Sequence, residues 1–264
     1  MFGELQKLRE TPVPAGESAR ALYAGYRDWP IDQTHLAHAE KLMHAREFGL
    51  EGRNYYAHAR NPPYWAPAPG AIDALLLRAG VGARLKLADA RLRRVGLKLF
   101  LYDAWRPRAV QAYFHDSWMP AQVRLRRPDL DDARVTEEVE CYWAAPSDSP
   151  ARPAPHATGG AVDLAISWED GEALFMGSLF DDATELAHVD RFEHEADAHS
   201  FSHAEARANR RLLYWLLIEA GFASHPNEWW HFSYGDQMWA ARLGKPAALY
   251  GLAEPEASLL VAAA

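Results

Sequence analysis

Three short segments, far apart in the chain, carry side chains that together could hydrolyse an amide. They are Tyr102-Asp-Ala-Trp-Arg106-Pro107, His156-Ala-Thr-Gly-Gly-Ala-Val-Asp163 and Glu228-Trp-Trp-His231. Two imidazoles and one carboxylate can ligate zinc and leave a fourth coordination place for water. A further carboxylate can take the proton from that water. A guanidinium can meet the charge that builds on an attacked carbonyl oxygen. The expected ligands are therefore His156, Asp163 and His231, with Glu228 as base and Arg106 as the oxyanion partner.

Local structure must bring these groups together. Leu97 to Tyr102 alternates, with Leu97, Leu99 and Leu101 on one side, and reads as a strand. Pro107 suits the first turn of a helix running to about Trp118, which places Arg106 at a strand-to-helix junction. Ala161 to Ile166 reads as a second strand, with Asp163 between Ala161 and Ala165 on the face opposite Val162, Leu164 and Ile166. Gly159-Gly160 can make the tight turn that carries His156 back over Asp163. His231 falls on a last strand, about Trp229 to Tyr234. Residues three apart on a strand point to opposite faces, so Glu228 is expected in the turn made by Pro226-Asn227 rather than in the strand itself. Taken singly, each motif also fits an ordinary strand aspartate, a loop histidine or a salt-bridged glutamate.

The rest of the chain frames these segments. Ile31 to Glu47 reads as a helix with His35 and His38 on one face, without carboxylates to complete a site. Asn61 to Gly70, with four prolines, reads as an ordered loop. Ala83 to Val95 reads as a helix ended by Gly96. Residues 120 to 155 read as loops around a short helix from Val135 to Trp143. Phe180 to His203 reads as a long acidic loop with a helical turn, in which His188, His194, His199 and His203 match no recognisable ligand set. Ala204 to Ala220 is the clearest helix, stopped at Gly221. Strands and helices mix without regular alternation. The expected fold class is α+β: a small central antiparallel sheet with helices around it and the zinc site in a cleft on the sheet.

Bulk properties set limits. The chain has 264 residues, 49% of them hydrophobic, enough for one large domain or one domain with an extension. A net charge of -8, from 36 acidic and 28 basic residues, argues against a nucleic-acid partner. The short arginine runs (Arg91, Arg93, Arg94; Arg124, Arg126, Arg127) read as solvated helix faces. Cys141 is the single cysteine, so no intrachain disulfide forms, and a buried thiol is expected there. No stretch has the length of a membrane span and the start lacks a signal-like apolar run, so a cytoplasmic location is expected. Ten Trp, eleven Tyr and ten Phe fit both core packing and a dry pocket, since Trp105, Trp229 and Trp230 sit beside the candidate chemistry.

Together the motifs resemble the D-alanyl-D-alanine dipeptidases, zinc enzymes known from vancomycin resistance and grouped with zinc D-alanyl-D-alanine carboxypeptidases. The resemblance runs from about Gly49 to about Tyr234 and includes Gly96 to Pro107, His156 to Asp163, Met176-Gly-Ser-Leu-Phe-Asp181, Asn209-Arg-Arg211 and Glu228-Trp-Trp-His-Phe232. It implies one zinc per chain on His156, Asp163 and His231, with Glu228 as general base and Arg106 at the tetrahedral intermediate. Asp181 matches an acidic residue that holds the free amino group of a small dipeptide substrate. The Met176 to Asp181 segment favours the dipeptidase branch over a carboxypeptidase that trims peptidoglycan stems. Retention of Glu228 and Arg106 argues against a non-catalytic zinc domain. Where the family usually has two serines before the first histidine, this chain has Ala154 and Pro155. Residues 1–45 lie outside the resemblance and are read as an extension packed on a catalytic domain of residues 46–264.

Overall fold

A computed structural model describes residues 3–15, 21, 25–193 and 200–260. The elements in chain order are α1 (Gly3–Glu10), β1 (Leu42–His44), β2 (Glu51–Gly52), β3 (Leu76–Arg78), α2 (Ala79–Arg93), β4 (Leu97–Asp103), α3 (Arg108–Tyr113), α4 (Met119–Arg126), α5 (Asp132–Glu140), β5 (Ala161–Trp168), α6 (Phe201–Glu219), β6 (Ala223–His225), β7 (Glu228–Ser233), α7 (Gln237–Arg242) and α8 (Ala257–Leu260). The architecture is α+β. Five strands form one sheet in the order β2-β4-β5-β7-β6, and β1 pairs with β3 in a separate ribbon. The β4-β5-β7-β6 part is antiparallel, while the two-residue edge strand β2 runs parallel to β4.

Apolar spacing explains the layers. Helix α2 buries Val81, Leu85, Ala88 and Leu92 at helical intervals, and α6 buries Leu212, Leu213, Leu216 and Leu217. These helices pack on the sheet, where Leu97, Leu99, Leu101, Val162, Leu164 and Ile166 complete the main core. Burying each such leucine contributes about 1.5–3 kcal/mol. Ser200 starts α6 by accepting from the His203 amide at 3.0 Å. Strand β5 is buried on both faces from Ala161 to Ser167, so Ala161, Asp163 and Ala165 do not line an open surface. Helix α1 packs along α6, held by Arg9 to Glu205 at 3.0 Å and by the Trp215 indole donating to Thr11 O at 2.9 Å.

Several elements differ from the sequence reading. Ile31 to Glu47 is not a helix. It forms a 3-10 turn at Leu36–Ala39, strand β1, and a second 3-10 turn at Ala45–Phe48. His35 caps the first turn by accepting from the Ala37 amide, and β3 supplies the ladder partner that local periodicity cannot reveal. The helix after Pro107 loosens into a π turn at Phe114–Trp118 and continues as α4, where the sequence suggests loop. The helix expected at Val135 to Trp143 is α5, which ends at Glu140 and leaves Trp143 outside. The helical turn expected between Phe180 and His203 is a 3-10 turn at Glu185–Ala187, whereas His203 belongs to α6 and not to the loop. Cys141 is half-buried rather than buried, its Sγ 3.3 Å from Glu137 O.

Candidate metal centre and active site

Adjacent strands carry the core of the site. Asp163 on β5 pairs directly with His231 on β7, and on the other side with Asp103 on β4. His156 arrives from a 3-10 turn, Pro155–Thr158, closed by Gly159 in the left-handed region at φ 72°. A side chain on Gly160 would meet Tyr234 O at 2.5 Å, so both glycines are needed to return the chain beside β5.

Three ligand-type atoms converge. His156 Nε2 lies 3.3 Å from Asp163 Oδ2 and 3.1 Å from His231 Nδ1, and His231 Nδ1 lies 3.0 Å from Asp163 Oδ1. All three side chains are buried, and their ligand atoms lie within 4.8 Å of one another. The remaining nitrogens are committed elsewhere. His156 Nδ1 sits 2.7 Å from Ala104 O, a carbonyl that can only accept, so the proton is on Nδ1 and Nε2 turns a lone pair to the cluster. His231 Nε2 is 3.3 Å from Ser233 Oγ, which lets Nδ1 present its lone pair. No N–H or O–H of the described residues is aimed at Asp163 Oδ1. Lone pairs packed this closely, with an unsatisfied carboxylate oxygen among them, fit a cation, and two nitrogens with one oxygen suit zinc.

A second shell of charge surrounds the cluster. Asp103 and Asp163 face each other across the ladder, an arrangement that repels unless a cation intervenes. Arg106 intervenes: Nε donates to Asp103 Oδ2 at 2.7 Å and Nη2 to Asp163 Oδ2 at 3.1 Å. Nη1 donates to Gln111 Oε1 at 3.0 Å, and the guanidinium lies over the Tyr56 and Trp143 rings. Glu228 is the first residue of β7 and pairs with His225, so it belongs to the strand and not to the preceding turn. A register irregularity between Ser224 and His225 breaks the regular alternation there, and Glu228 Oε2 reaches to 3.6 Å from His231 Nδ1. Asp181 sits at φ 59° in the loop after β5 and accepts from the Tyr56 hydroxyl at 2.7 Å and the Tyr64 hydroxyl at 2.9 Å.

Burial and neighbours tune these acids in opposite directions. Burial alone would raise the Asp163 carboxyl, but without a metal the His156 and His231 rings, where protonated, outweigh burial and hold it well below the usual carboxylate range. Burial first, then the Asp163 and Asp181 charges, pushes Glu228 well above its ordinary value. Burial, with the Asp163 charge, lifts Asp181 to about 7 against Arg106 and the two tyrosines. Burial lowers His231, so its imidazole is neutral as a ligand requires. One carboxylate kept ionised beside another poised to hold a proton is the arrangement that acid–base hydrolysis needs.

The cavity onto which the cluster opens measures about 30 Å³, roughly the share of a single water molecule. A cavity of about 510 Å³ shares Met238 with it but is bordered by none of the clustered residues, so chemistry and not size locates the site. Of the histidines in the acidic loop, the described ones, His188 and His203, lie outside the cluster. His188 Nε2 faces the Tyr142 hydroxyl, His203 Nε2 faces Phe192 O, and His194 and His199 lie outside the described residues. Of the three tryptophans beside the motifs, Trp230 lines the cavity. Trp105 donates to Ala253 O and Trp229 to Ser178 Oγ. The sequence reading missed Asp103, Tyr56, Tyr64 and Gln111. Asp103 lay inside a quoted motif, whereas the tyrosines sit in or next to a proline-rich loop with no local signal.

A buried His-Asp-His cluster that could hold a metal ion, a paired arginine and raised acids lie together on an α+β scaffold, and comparison with known proteins gives the class. The family model described as D-ala-D-ala dipeptidase matches residues 70–247. The chain belongs to that family of metallopeptidases. A D-alanyl-D-alanine dipeptidase of Synechocystis sp. is 31% identical over 177 residues, covering 62% of this chain and 71% of the relative. One of Streptomyces coelicolor is 32% identical over 172 residues, covering 61% and 77%. A solved structure of VanYB in complex with D-alanine-D-alanine aligns at 17% identity with a TM-score of 0.38, over 70% of this chain and 87% of that one, too distant to argue from.

Proposed function

We propose that this chain hydrolyses D-alanyl-D-alanine, or a dipeptide of similar size, to free amino acids. The observation that carries the proposal is the convergence of His156 Nε2, His231 Nδ1 and Asp163 around one point, with Glu228 3.6 Å from that histidine nitrogen. When bound there, zinc supplies a polarised carbonyl and a water acidified from about 15.7 to about 7. Glu228 takes the proton of the attacking water and delivers it to the leaving amine. Its raised affinity for a proton lets it hold that proton between the two steps. Arg106, fixed by its bonds to Asp103, Asp163 and Gln111, places positive charge beside the carbonyl oxygen without reorganising. Asp181 holds the substrate ammonium, and the Tyr56 and Tyr64 hydroxyls keep its carboxylate aimed.

Residues 46–264 act as the catalytic domain in this reading, with 1–45 as an extension whose α1 braces α6. Among the described residues no helix is long and apolar enough to cross a membrane. The lone Cys141 supports a reducing, cytoplasmic setting, where such an activity would remove a cell-wall precursor. The test is a panel of D-Ala-D-Ala, L-Ala-L-Ala and N-acetylated D-Ala-D-Ala, with wild type and Glu228→Gln. Cleavage of a free dipeptide, strong discrimination against the acetylated one, and a turnover loss of about a hundred- to ten-thousand-fold in Glu228→Gln are expected. Full activity of Glu228→Gln would overturn the assignment.

A further inference from the structure

Two charged groups grip one short substrate in the dipeptidase reading. Asp181 takes the ammonium, and Arg106 faces the carbonyl oxygen of the bond to be cut. In a dipeptide of α-amino acids a single carbon atom separates that ammonium from that carbonyl. The span between Asp181 and Arg106 therefore decides which bond reacts, and a misplacement of about 1 Å can cost about a hundredfold. The two groups come from different places: Arg106 follows β4, and Asp181 lies in the loop after β5.

Tyr56 joins them. Its hydroxyl donates to Asp181 Oδ2 at 2.7 Å and accepts from Arg106 Nη2 at 3.3 Å, and the guanidinium carbon lies 4.9 Å from the centre of its ring. Asp103 fixes the other side of the guanidinium, accepting from Arg106 Nε at 2.7 Å. Both holders meet at Asn54. Its Nδ2 donates to Asp103 Oδ1 at 3.2 Å and to Ala74 O at 3.2 Å. Its Oδ1 accepts from the Tyr56 amide at 3.1 Å and so caps the 3-10 turn Tyr55–Ala57. The Ala74 carbonyl can only accept and the Tyr56 amide can only donate, so the carboxamide has one possible orientation. Asn54, Tyr56 and Asp103 are all buried, so bulk solvent does not take over these bonds. One side chain that donates and accepts at once thus ties the Asp103 carboxylate to the Tyr56 backbone. An aspartate or a serine there keeps the acceptor for the Tyr56 amide and loses the carboxamide donor to Asp103.

We propose that Asn54 is a positioning residue that fixes the span between Asp181 and Arg106, and that this span confines cleavage to the peptide bond directly after an α-amino residue with a free ammonium. Asn54 touches no substrate. It acts through Tyr56 on one arm and through Asp103 on the other. The inference rests on the dipeptidase reading above.

The test compares D-Ala-D-Ala with D-β-homoalanyl-D-alanine, which inserts one methylene between the ammonium and the carbonyl. Both are assayed with zinc-loaded wild type, Asn54→Ser and Asn54→Asp, and zinc content is measured for each. Wild type should prefer D-Ala-D-Ala in kcat/KM by about tenfold or more. Each variant should keep its zinc and lose about tenfold or more in kcat on D-Ala-D-Ala, with KM changed less. Its preference for the shorter substrate should narrow by about fivefold or more. General damage to the fold would lower the rate on both substrates alike and leave that ratio unchanged. The two variants remove the same bond, so whichever folds decides. A wild type with no preference between the substrates, or a folded variant that keeps the wild-type ratio, overturns the role of Asn54. A wild type that cleaves neither substrate sinks the dipeptidase reading instead, so the two failures are distinct.

Discussion

Arg106 and Arg210 are both deeply buried, yet they do opposite work. Arg106 is surrounded by acids: Asp103 and Asp163 bind it, and Asp181 lies near. Burial would lower its affinity for a proton, but those charges outweigh burial and raise it. Arg210 meets mainly neutral acceptors. Its Nε donates to Met176 O at 2.7 Å, and its Nη atoms to His188 O at 2.5 Å and Leu186 O at 2.7 Å. With little charge to compensate, burial lowers it to about 9. Buried arginine therefore does not by itself mark chemistry. An arginine among carboxylates fixes a reacting cluster, while one among carbonyls fixes a loop. The two are connected, because the loop that Arg210 pins, Met176 to His188, is the loop that presents Asp181.

Replacing each arginine should separate the roles. Arg106→Lys keeps the charge but loses the fork that spans Asp103, Asp163 and Gln111. Turnover should fall by about a hundredfold or more while zinc stays bound, as steady-state kinetics and metal analysis would read. An unchanged turnover would remove Arg106 from the reaction. Arg210→Met should act mainly on stability. It strands buried carbonyls, so a loss of about 3 kcal/mol or more is expected in chemical denaturation. Where the variant folds, KM should rise more than kcat falls, because the Asp181 loop loosens.

The smallest effect concerns Asp181. Its folded-state value of about 7 lies above the ordinary 3.8, so the folded protein binds its proton more tightly than the unfolded chain. The stability it contributes is complete below the ordinary value and is lost as pH rises through about 7. In metal-free protein, Asp181→Asn should raise the unfolding midpoint by a few degrees at about pH 8 and leave it nearly unchanged at about pH 4. An equal shift at both values would show that Asp181 is not held protonated by burial.

Much of this site could be read along the chain because its residues cluster in short motifs at strand ends. The alternation of Leu97, Leu99 and Leu101 marks β4, and Gly159-Gly160 marks the return of His156. Contacts made across the fold were not readable. The pairing of Asp103 opposite Asp163, which gives Arg106 its task, depends on sheet register. Tyr56 and Tyr64 reach Asp181 from more than a hundred positions away in the chain. The convergence of Glu228 with His231 was expected from a turn and is met instead by a strand end beside a register irregularity. Ile31 to Glu47 misled because the spacing of His35 and His38 suits a helix face, whereas β3 draws Leu42–His44 into a ladder.

The central claim is that three side chains hold one metal ion. Zinc content of purified wild type, His156→Ala, Asp163→Ala and His231→Ala, measured by mass spectrometry after dialysis against a weak chelator, tests it most directly. About one zinc per chain in wild type, and a large loss in each folded variant, is the predicted result. Wild type without bound zinc, or folded variants that keep the wild-type amount, would contradict it.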